Sequence, residues 1–269
     1  MTKSCVVLAS ACVLLAACSP RPHDLVPIAK HLDMLVNAHD MEGMKQLFTN
    51  DCMVHTPDGK MLSGYDKFAS WMSDQMAGFH VTSRGFSQSG DTVRWISTAT
   101  SDAFAKVGMA SAGFNTMAIF TGEKISHFMP VFDDQTRGKM LFGKFIEEVI
   151  NEGKVDAIDE YLSEDFVEHQ QLPPGTPAGR EGVKAFFRMI HEAFPDLHAT
   201  PVMLVADGDL VGAYQTWEGT NNGKFMGKAP TNKKVKFDVF DLIKVKNGKG
   251  TEHWGLDDQA SMMRQLQGK

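Results

Sequence analysis

The chain has 269 residues, of which 43% are hydrophobic and 22% are charged, and its formal net charge is -6. These values are typical of an ordinary globular protein. The acidic balance and the absence of long basic runs argue against a nucleic-acid-binding surface, which needs clustered lysines and arginines.

The first 18 residues are predicted to be a targeting segment. Lys3 gives the segment a positively charged N-terminal region, and residues 6–17 form an apolar run too short to span a bilayer. The run Leu15-Ala16-Ala17-Cys18 resembles a bacterial lipobox, in which the cysteine becomes the lipidated first residue. The resemblance implies a lipid anchor that faces the periplasm, in the outer rather than the inner membrane because Ser19 follows. An ordinary secretory signal is the alternative.

The rest of the chain is predicted to contain a tether at 19–26 and two repeats, at 27–137 and 138–269. Asn37, Asp51 and His55 recur 114 residues later, and two glycines and a histidine further along recur at an offset of 118. The drift places four extra residues in a proline- and glycine-rich loop after His169. Two domains of similar fold therefore follow one another.

Each repeat shows the same order of predicted elements. Helices are predicted at 27–38, 41–48 and 65–76 in the first repeat, and at 140–151, 155–162 and 181–193 in the second. Long strands follow at 92–100, 112–121 and 124–130, and at 202–206, 210–219, 235–245 and 250–256. The order predicts an α+β fold with tandem cone-shaped domains, each with three helices packed on a strongly bent antiparallel sheet.

A stretch near the C-terminus, Glu252 to Gln259, gathers acidic, basic and aromatic side chains. The stretch from Ser126 to Gln135 matches it, because each contains a histidine, an aromatic residue and then Asp-Asp-Gln. The duplication leaves two interpretations open. The stretch is either a functional site or a structural ending in which Asp257-Asp258 caps the closing helix.

The second repeat resembles the SnoaL-like polyketide and ester cyclase group of the nuclear transport factor 2-like superfamily, whose fold is cystatin-like. The resemblance is carried by Asp165-Phe166-Val167-Glu168-His169, Gly179-Arg180-Glu181-Gly182, Ala193-Phe194-Pro195-Asp196-Leu197, Gly219-Thr220 and Glu252-His253-Trp254 with Asp257. The first repeat is similar to the broad superfamily only and is predicted to be degenerate. The resemblance implies cofactor-free proton abstraction next to a carbonyl, followed by ring closure or isomerisation through an enolate.

The resemblance assigns the acid/base role to Asp257, with His253, Asp196 and His169 as supporting groups. A carboxylate beside an aromatic cavity and a neutral imidazole both suit proton transfer near neutral pH. Besides Asp257, two of these residues have structural alternatives. His169 recurs in the first repeat, so it can serve the fold, and Asp196 can form a turn that stops the preceding helix.

The strands also predict an apolar pocket for a small hydrophobic organic molecule. Trp217, Phe237, Phe240 and Trp254 are the residues expected to contact it. No metal is expected, because the histidines are scattered without ligand spacing. The sequence shows no Gly-x-Ser-x-Gly elbow and no nucleotide-binding glycine motif, which disfavours a serine hydrolase and a nucleotide enzyme.

A non-catalytic ligand- or protein-binding lipoprotein is the alternative function. In that case the two repeats would pack sheet to sheet as an internal pseudo-dimer, and superfamily members that pair through this face suggest a homodimer as well. The weak first repeat and the anchor favour binding. The presence of Asp196 in the second repeat, where the first has Gly78, favours an enzyme.

Overall fold

The computed structural model describes residues 23–268. The predicted signal segment 1–18, its lipidation residue Cys18 and residues 19–22 of the predicted tether lie outside the described residues. Between residues 23 and 268, no helix combines the length and apolar character needed to cross a membrane. Both predicted repeats are described.

The first repeat folds into four helices and a six-stranded sheet. The helices are α1 (Val26–Asn37), α2 (Met41–Leu47), α3 (Tyr65–Ser73) and α4 (Asp102–Lys106). The strands are β1 (Phe48–His55), β2 (Met61–Ser63), β3 (His80–Ser89), β4 (Thr92–Thr100), β5 (Ala112–Thr121) and β6 (Lys124–Phe132), in the order β2-β1-β6-β5-β4-β3. Strands β3 to β6 form an antiparallel meander, whereas β1 runs parallel to β6.

The second repeat has the same plan with a five-stranded sheet. Its helices are α5 (Asp134–Phe145), α6 (Ile158–Tyr161), α7 (Gly179–Ala193) and α8 (Gln259–Gln267). Its strands are β7 (Leu162–Glu168), β8 (His198–Asp207), β9 (Leu210–Thr220), β10 (Lys234–Lys246) and β11 (Lys249–Asp257), in the order β7-β11-β10-β9-β8. The α+β tandem fold is confirmed, with one correction: each sheet is mixed, because β7 pairs in parallel with β11 as β1 does with β6.

Helix α5 starts earlier than predicted and crosses the predicted boundary between residues 137 and 138. Asp133 caps its start, since its carboxylate accepts a hydrogen bond of 2.7 Å from the backbone N–H of Thr136. The helix continues directly into a π-helical segment, Ile146–Asn151, where the sequence predicted ordinary helix. One helix therefore ends the first repeat and begins the second.

The two repeats contact each other through the segment 107–111 and α5. The backbone N–H of Leu204 donates to the carbonyl of Gly108 at 2.7 Å, and Met109 is buried in the core of the second domain. No part of the described chain covers the outer face of the second sheet, since Phe240, Trp254 and Leu256 are exposed there. The two-domain repeat is compatible with an internal pseudo-dimer, but within residues 23–268 the contact is made by the segment 107–111 and α5 and not by this face of the second sheet.

The strand register corrects the predicted match between the two C-terminal stretches. Phe128 pairs with Val54 across β6 and β1, just as His253 pairs with Glu168 across β11 and β7. An offset of 125 residues therefore relates the last strands of the domains. His127 lies one residue out of register with His253, and the apolar Phe128 occupies the equivalent place.

The same offset relates the residues that cap the closing helices. The backbone N–H of Ser261 donates to the Asp258 carboxylate at 2.8 Å, as that of Thr136 does to Asp133. The interpretation of the acidic pair as a helix cap is confirmed for Asp258. Asp257 is free of that role and ends strand β11.

Two repeated asparagines fasten the first helical segment of each domain to its sheet. The Asn37 side chain exchanges hydrogen bonds of 2.9 and 2.8 Å with the backbone of Val81, and Asn151 does the same with Ala199 at 3.1 and 2.7 Å. The constant offset seen in the sequence thus marks a structural contact.

Replacing Asn37 or Asn151 by alanine is expected to lower the free energy of unfolding by about 1–3 kcal/mol, because two backbone groups lose their partners. Urea unfolding followed by circular dichroism measures the change. Asn115→Ala, at an exposed position on β5, is the matched control and should change stability little. Equal losses in the control and in the two test variants would contradict this role.

Candidate functional site

The second domain contains a cavity of about 500 Å³ between α7, α8, the loop after β7 and the concave face of the sheet. Its walls are mainly apolar, with Phe145, Phe187, Trp217, Phe237 and Ile243 among the lining residues. The volume lies within the range found for small-molecule sites. A small hydrophobic molecule fits a cavity of this size and lining.

Polar side chains interrupt the apolar inner face of two strands. Side chains alternate between the faces of a strand, and the inward positions of β9 carry Ala213, Gln215 and Trp217. Gln215 is fully buried. On β10 the inward positions include Asp241, which lines the cavity. A buried amide and a carboxylate thus face each other inside the domain.

His253 lies between two carboxylates. Its Nδ1 is 2.9 Å from both oxygens of Glu168, and its Nε2 is 3.1 Å from Oδ1 of Asp241. The exposed fractions of the three side chains are 16% for His253, 8% for Glu168 and 10% for Asp241. The cluster is therefore nearly closed to bulk water.

Burial alone lowers the pKa of His253, but hydrogen bonds to Asp241 and Glu168 outweigh it and raise the pKa to about 9. The ring is consequently an imidazolium at neutral pH and donates from both nitrogens. Two carboxylates then face one positive charge. One negative charge of the cluster is left uncompensated at the cavity wall.

Further hydrogen bonds fix the orientation of both carboxylates. The indole N–H of Trp217 donates to Oε1 of Gln215 at 3.3 Å, and Nε2 of Gln215 donates to Oδ2 of Asp241 at 2.5 Å. Because an indole can only donate, it determines which end of the Gln215 amide faces Asp241. On the other side, the backbone N–H of Gln170 donates to Glu168 at 2.8 Å.

Asp257 lies on the same inner face as His253, two positions past Gly255. Its Oδ1 accepts from the side-chain amides of Gln170 at 3.2 Å and Gln259 at 3.4 Å. A Cβ at Gly255 would collide with the Gln170 side chain, so the glycine makes room for this contact. Asp257 lines the cavity without contacting the histidine cluster directly.

The predicted placement of Asp196 at the cavity is corrected. Its carboxylate accepts hydrogen bonds from the backbone N–H and the hydroxyl of Thr220, at 2.6 and 2.7 Å, and the residue is exposed. The bond from the Thr220 N–H holds the pKa of Asp196 below its usual range. The carboxylate therefore connects the segment after helix α7 to the end of strand β9, while the turn itself is closed by the backbone N–H of Leu197, which donates to the carbonyl of Phe194.

His169, Phe240 and Trp254 also lie outside the cavity, on the outer face of the sheet. The rings of His169 and Trp254 stack with centroids 4.5 Å apart, and Nε2 of His169 is 3.1 Å from Glu252. Phe240 stacks on Tyr214 at 4.6 Å. The reason is strand alternation: when residues 168 and 253 point inward, residues 169 and 254 must point outward.

The structure thus brings four of the predicted residues to one cavity: His253, Asp257, Trp217 and Phe237. Sequence reasoning missed Glu168, Asp241 and Gln215. A signal for them was present, because the inward series Phe237, Val239, Asp241, Ile243 is apolar except for one carboxylate. Glu168 follows the buried Phe166 by two residues and therefore shares its face.

Within residues 23–268, no group of three or more histidine, cysteine, aspartate and glutamate side chains has an arrangement that could hold a metal ion.

Comparisons with known proteins match each half of the chain to a protein family. Residues 141–266 match the SnoaL-like polyketide cyclase family, and residues 28–127 match the SnoaL-like domain family. Nogalonic acid methyl ester cyclase from Streptomyces nogalater is 25% identical over 117 residues, which cover 43% of this chain and 87% of that cyclase.

Two solved structures of proteins assigned as polyketide cyclases are also similar. The protein from Bacillus cereus is 31% identical with a TM-score of 0.43, and the match covers 49% of this chain and 81% of that one. The protein from Streptomyces antibioticus is 30% identical with a TM-score of 0.44, covering 48% and 98%. Since family matches cover the two halves in succession, the chain belongs to the SnoaL-like family and carries two SnoaL-like domains in tandem.

Proposed function

We propose that the second domain binds a small hydrophobic molecule that contains a carbonyl group and removes a proton from the carbon beside it. The observation that carries this proposal is the cluster of Glu168, His253 and Asp241 in the wall of an otherwise apolar cavity. A fixed carboxylate in an apolar site suits acid/base chemistry. The name of the similar nogalonic acid methyl ester cyclase supports ring closure as the outcome.

In this proposal Asp241 is the general base. Both oxygens of Glu168 face the same nitrogen of His253, whereas one oxygen of Asp241 faces only the amide of Gln215. Asp241 takes the proton, and the electron pair of the C–H bond moves onto the carbonyl oxygen as an enolate. The imidazolium of His253 compensates part of the added negative charge.

The enolate carbon then forms a bond to a second carbonyl carbon of the same molecule. The electrons of that carbonyl become an alkoxide, which recovers the proton from Asp241. Substrate and product are isomers, so this sequence balances without a cofactor. If the proton returns to a different carbon instead, the result is an isomerisation.

Asp257 remains the other candidate for the base, because the family resemblance assigns the role to it. It shares the cavity but bonds to Gln170 and Gln259 rather than to the imidazolium. Asp241 is favoured because its charge is directly balanced by His253 and its orientation is fixed by Gln215. The supporting roles predicted for Asp196 and His169 have no geometric basis at this cavity.

Solvent deuterium exchange tests the function without knowledge of the natural substrate. The protein is incubated in D₂O with 2-tetralone, a ketone fused to an aromatic ring that has exchangeable hydrogens on both carbons beside its carbonyl, and incorporation is followed by NMR. Exchange faster than with denatured protein is the expected result. Saturable binding of 2-tetralone with exchange at the buffer rate would instead favour the non-catalytic binding alternative.

We further propose that the chain is anchored in the bacterial envelope through a lipid on Cys18 and faces the periplasm. The support is the lipobox-like run that precedes this cysteine. In a Gram-negative host, the full chain is expected to incorporate radiolabelled palmitate and to sediment with outer membranes. Cys18→Ser should abolish labelling and sedimentation, whereas Cys12→Ser, in the same segment, should leave both intact. Membrane association that survives Cys18→Ser would refute the anchor.

A further inference from the structure

The first domain contains a cavity of its own. It has a volume of about 470 Å³ and lies between α1, α3 and the concave face of the first sheet. Helix α5 borders both cavities, since Met140 lines this one while Phe142 and Phe145 line the other. The first domain, which is predicted to be degenerate, therefore still has a cavity.

The cavity has aromatic walls and lacks the histidine cluster of the second domain. The equivalent positions in the first domain follow from the offset of each strand. Val54 corresponds to Glu168 at an offset of 114, and Ser97 corresponds to Gln215 at an offset of 118. At an offset of 125, Thr116 corresponds to Asp241 and Phe128 to His253. Phe68, Trp71, Trp95 and Phe114 complete much of the wall. None of the four equivalent side chains has a carboxylate or an imidazole, so the base proposed for the second domain has no counterpart at their positions.

Hydroxyl groups replace the charged groups in the floor of this cavity. The hydroxyls of Ser83 and Ser97 are 2.8 Å apart, and those of Ser97 and Thr116 are 3.4 Å apart. Ser97 and Thr116 are both buried and line the cavity. A row of hydroxyls can donate a hydrogen bond to a ligand and also accept one.

Carboxylates dominate the outer part of the lining. Asp58 and Asp74 are exposed, and Lys60 forms an ion pair of 2.8 Å with Asp58. Asp33 is half-buried at the same cavity, and its burial raises the pKa of its carboxyl above the ordinary value. This charge pattern disfavours an anionic ligand.

We propose that the first-domain cavity is a second, non-catalytic binding site for a neutral, ring-containing molecule with a hydroxyl or carbonyl group that bonds to Ser97 and Thr116. The aromatic walls provide the apolar contact, and the hydroxyl row fixes the polar end of the ligand. This site is independent of the chemistry proposed for the second domain.

Tryptophan fluorescence separates the two cavities. The chain has four tryptophans, of which Trp71 and Trp95 line the first cavity. In the variant Trp217→Phe/Trp254→Phe, 2-naphthol is expected to quench the remaining emission in a saturable way. Its anionic relative 2-naphthoate should bind at least about tenfold more weakly, because it meets the acidic lining.

Two substitutions in this background locate the site. Ser97→Phe fills the cavity and should abolish quenching in a protein with an unchanged far-UV spectrum. Thr116→Val removes one hydroxyl at nearly constant volume and should weaken 2-naphthol by about three- to tenfold while leaving naphthalene unaffected. Thr98→Val, on the outer face of β4, is the matched control and should change neither ligand.

Absence of saturable quenching by 2-naphthol would overturn the proposal, as would quenching that persists in folded Ser97→Phe. If Ser97→Phe does not fold, the comparison of Thr116→Val with Thr98→Val decides. Equal affinities for 2-naphthol in those two variants would then count against the hydroxyl row as a ligand contact.

Discussion

Replacing Asp241 by asparagine is expected to lower the rate of deuterium incorporation into 2-tetralone by about 10²–10⁴-fold, the usual contribution of a positioned general base. Asparagine keeps the size of the side chain but cannot accept a proton from carbon. NMR at several ketone concentrations separates the rate from binding. Affinity for the ketone should change much less than the rate, because the apolar walls are intact.

Three further amide substitutions make this result specific. Glu168→Gln should reduce the rate by about tenfold, since it weakens the support of His253 without removing the base. Asp257→Asn, at the same cavity, should retain most of the rate. Asp196→Asn should be indistinguishable from the wild type, because its carboxylate contacts Thr220 outside the cavity.

The opposite ranking would be equally informative. If Asp257→Asn loses the rate and Asp241→Asn keeps it, the base is the residue named by the family resemblance. Thermal unfolding of each variant must accompany the assay, because Asp241 also balances a buried charge. A loss of rate with a melting temperature near that of the wild type assigns the effect to chemistry.

The tandem architecture could be predicted because its signals are local and repeated. The strands 92–100 and 112–121 were predicted at the bounds that the structure shows, since β-branched and aromatic residues stand between clear turns. Helix α5 was predicted six residues too short. Its beginning depends on the Asp133 cap, and residues 134–139 lack an apolar stripe that would indicate a helix.

The parallel pairing of the first strand with the last could not be predicted from local patterns. Contacts of this kind join residues about 75 to 85 positions apart, as for Val54 with Phe128 and Glu168 with His253. Without that pairing, the sequence cannot show that Glu168 approaches His253. A match by residue type then aligned His127 with His253, one residue away from the true register.

Strand alternation explains which site residues were found and which were not. A shift of one residue moves a side chain to the opposite face of a sheet. His169 and Trp254 were therefore predicted at the cavity but lie outside, next to inward-pointing Glu168 and His253. Applying the period of two to Phe166 and Phe237 would have selected Glu168 and Asp241 instead.

The unfolding free energy of the protein is expected to fall by about 3 kcal/mol between pH 6.5 and pH 9, in addition to other titrations. The pKa of His253 is about 9 in the folded state, against an ordinary value of 6.5. Below pH 6.5 both states hold the proton, so the stabilisation is complete. Between the two values only the folded state holds it, and stability falls as pH rises. Above pH 9 the contribution is lost.

His253→Leu is expected to destabilise the second domain by about 3–5 kcal/mol at pH 7, because Glu168 and Asp241 would face each other without a positive charge. Urea unfolding at a series of pH values measures both effects. The variant should become more stable as the pH falls, because a proton on either carboxyl relieves the repulsion. The wild type should also gain stability on going from pH 9 to 6.5, but there the proton is taken up by His253.

The triple variant His253→Leu/Glu168→Gln/Asp241→Asn provides the control, because it removes all three charges together. It should recover much of the stability lost in His253→Leu and lose the pH dependence between 6.5 and 9, while remaining inactive in deuterium exchange. If His253→Leu alone is as stable as the wild type at pH 7, the imidazolium does not balance the two carboxylates. The proposed role of His253 beside the enolate would then fail with it.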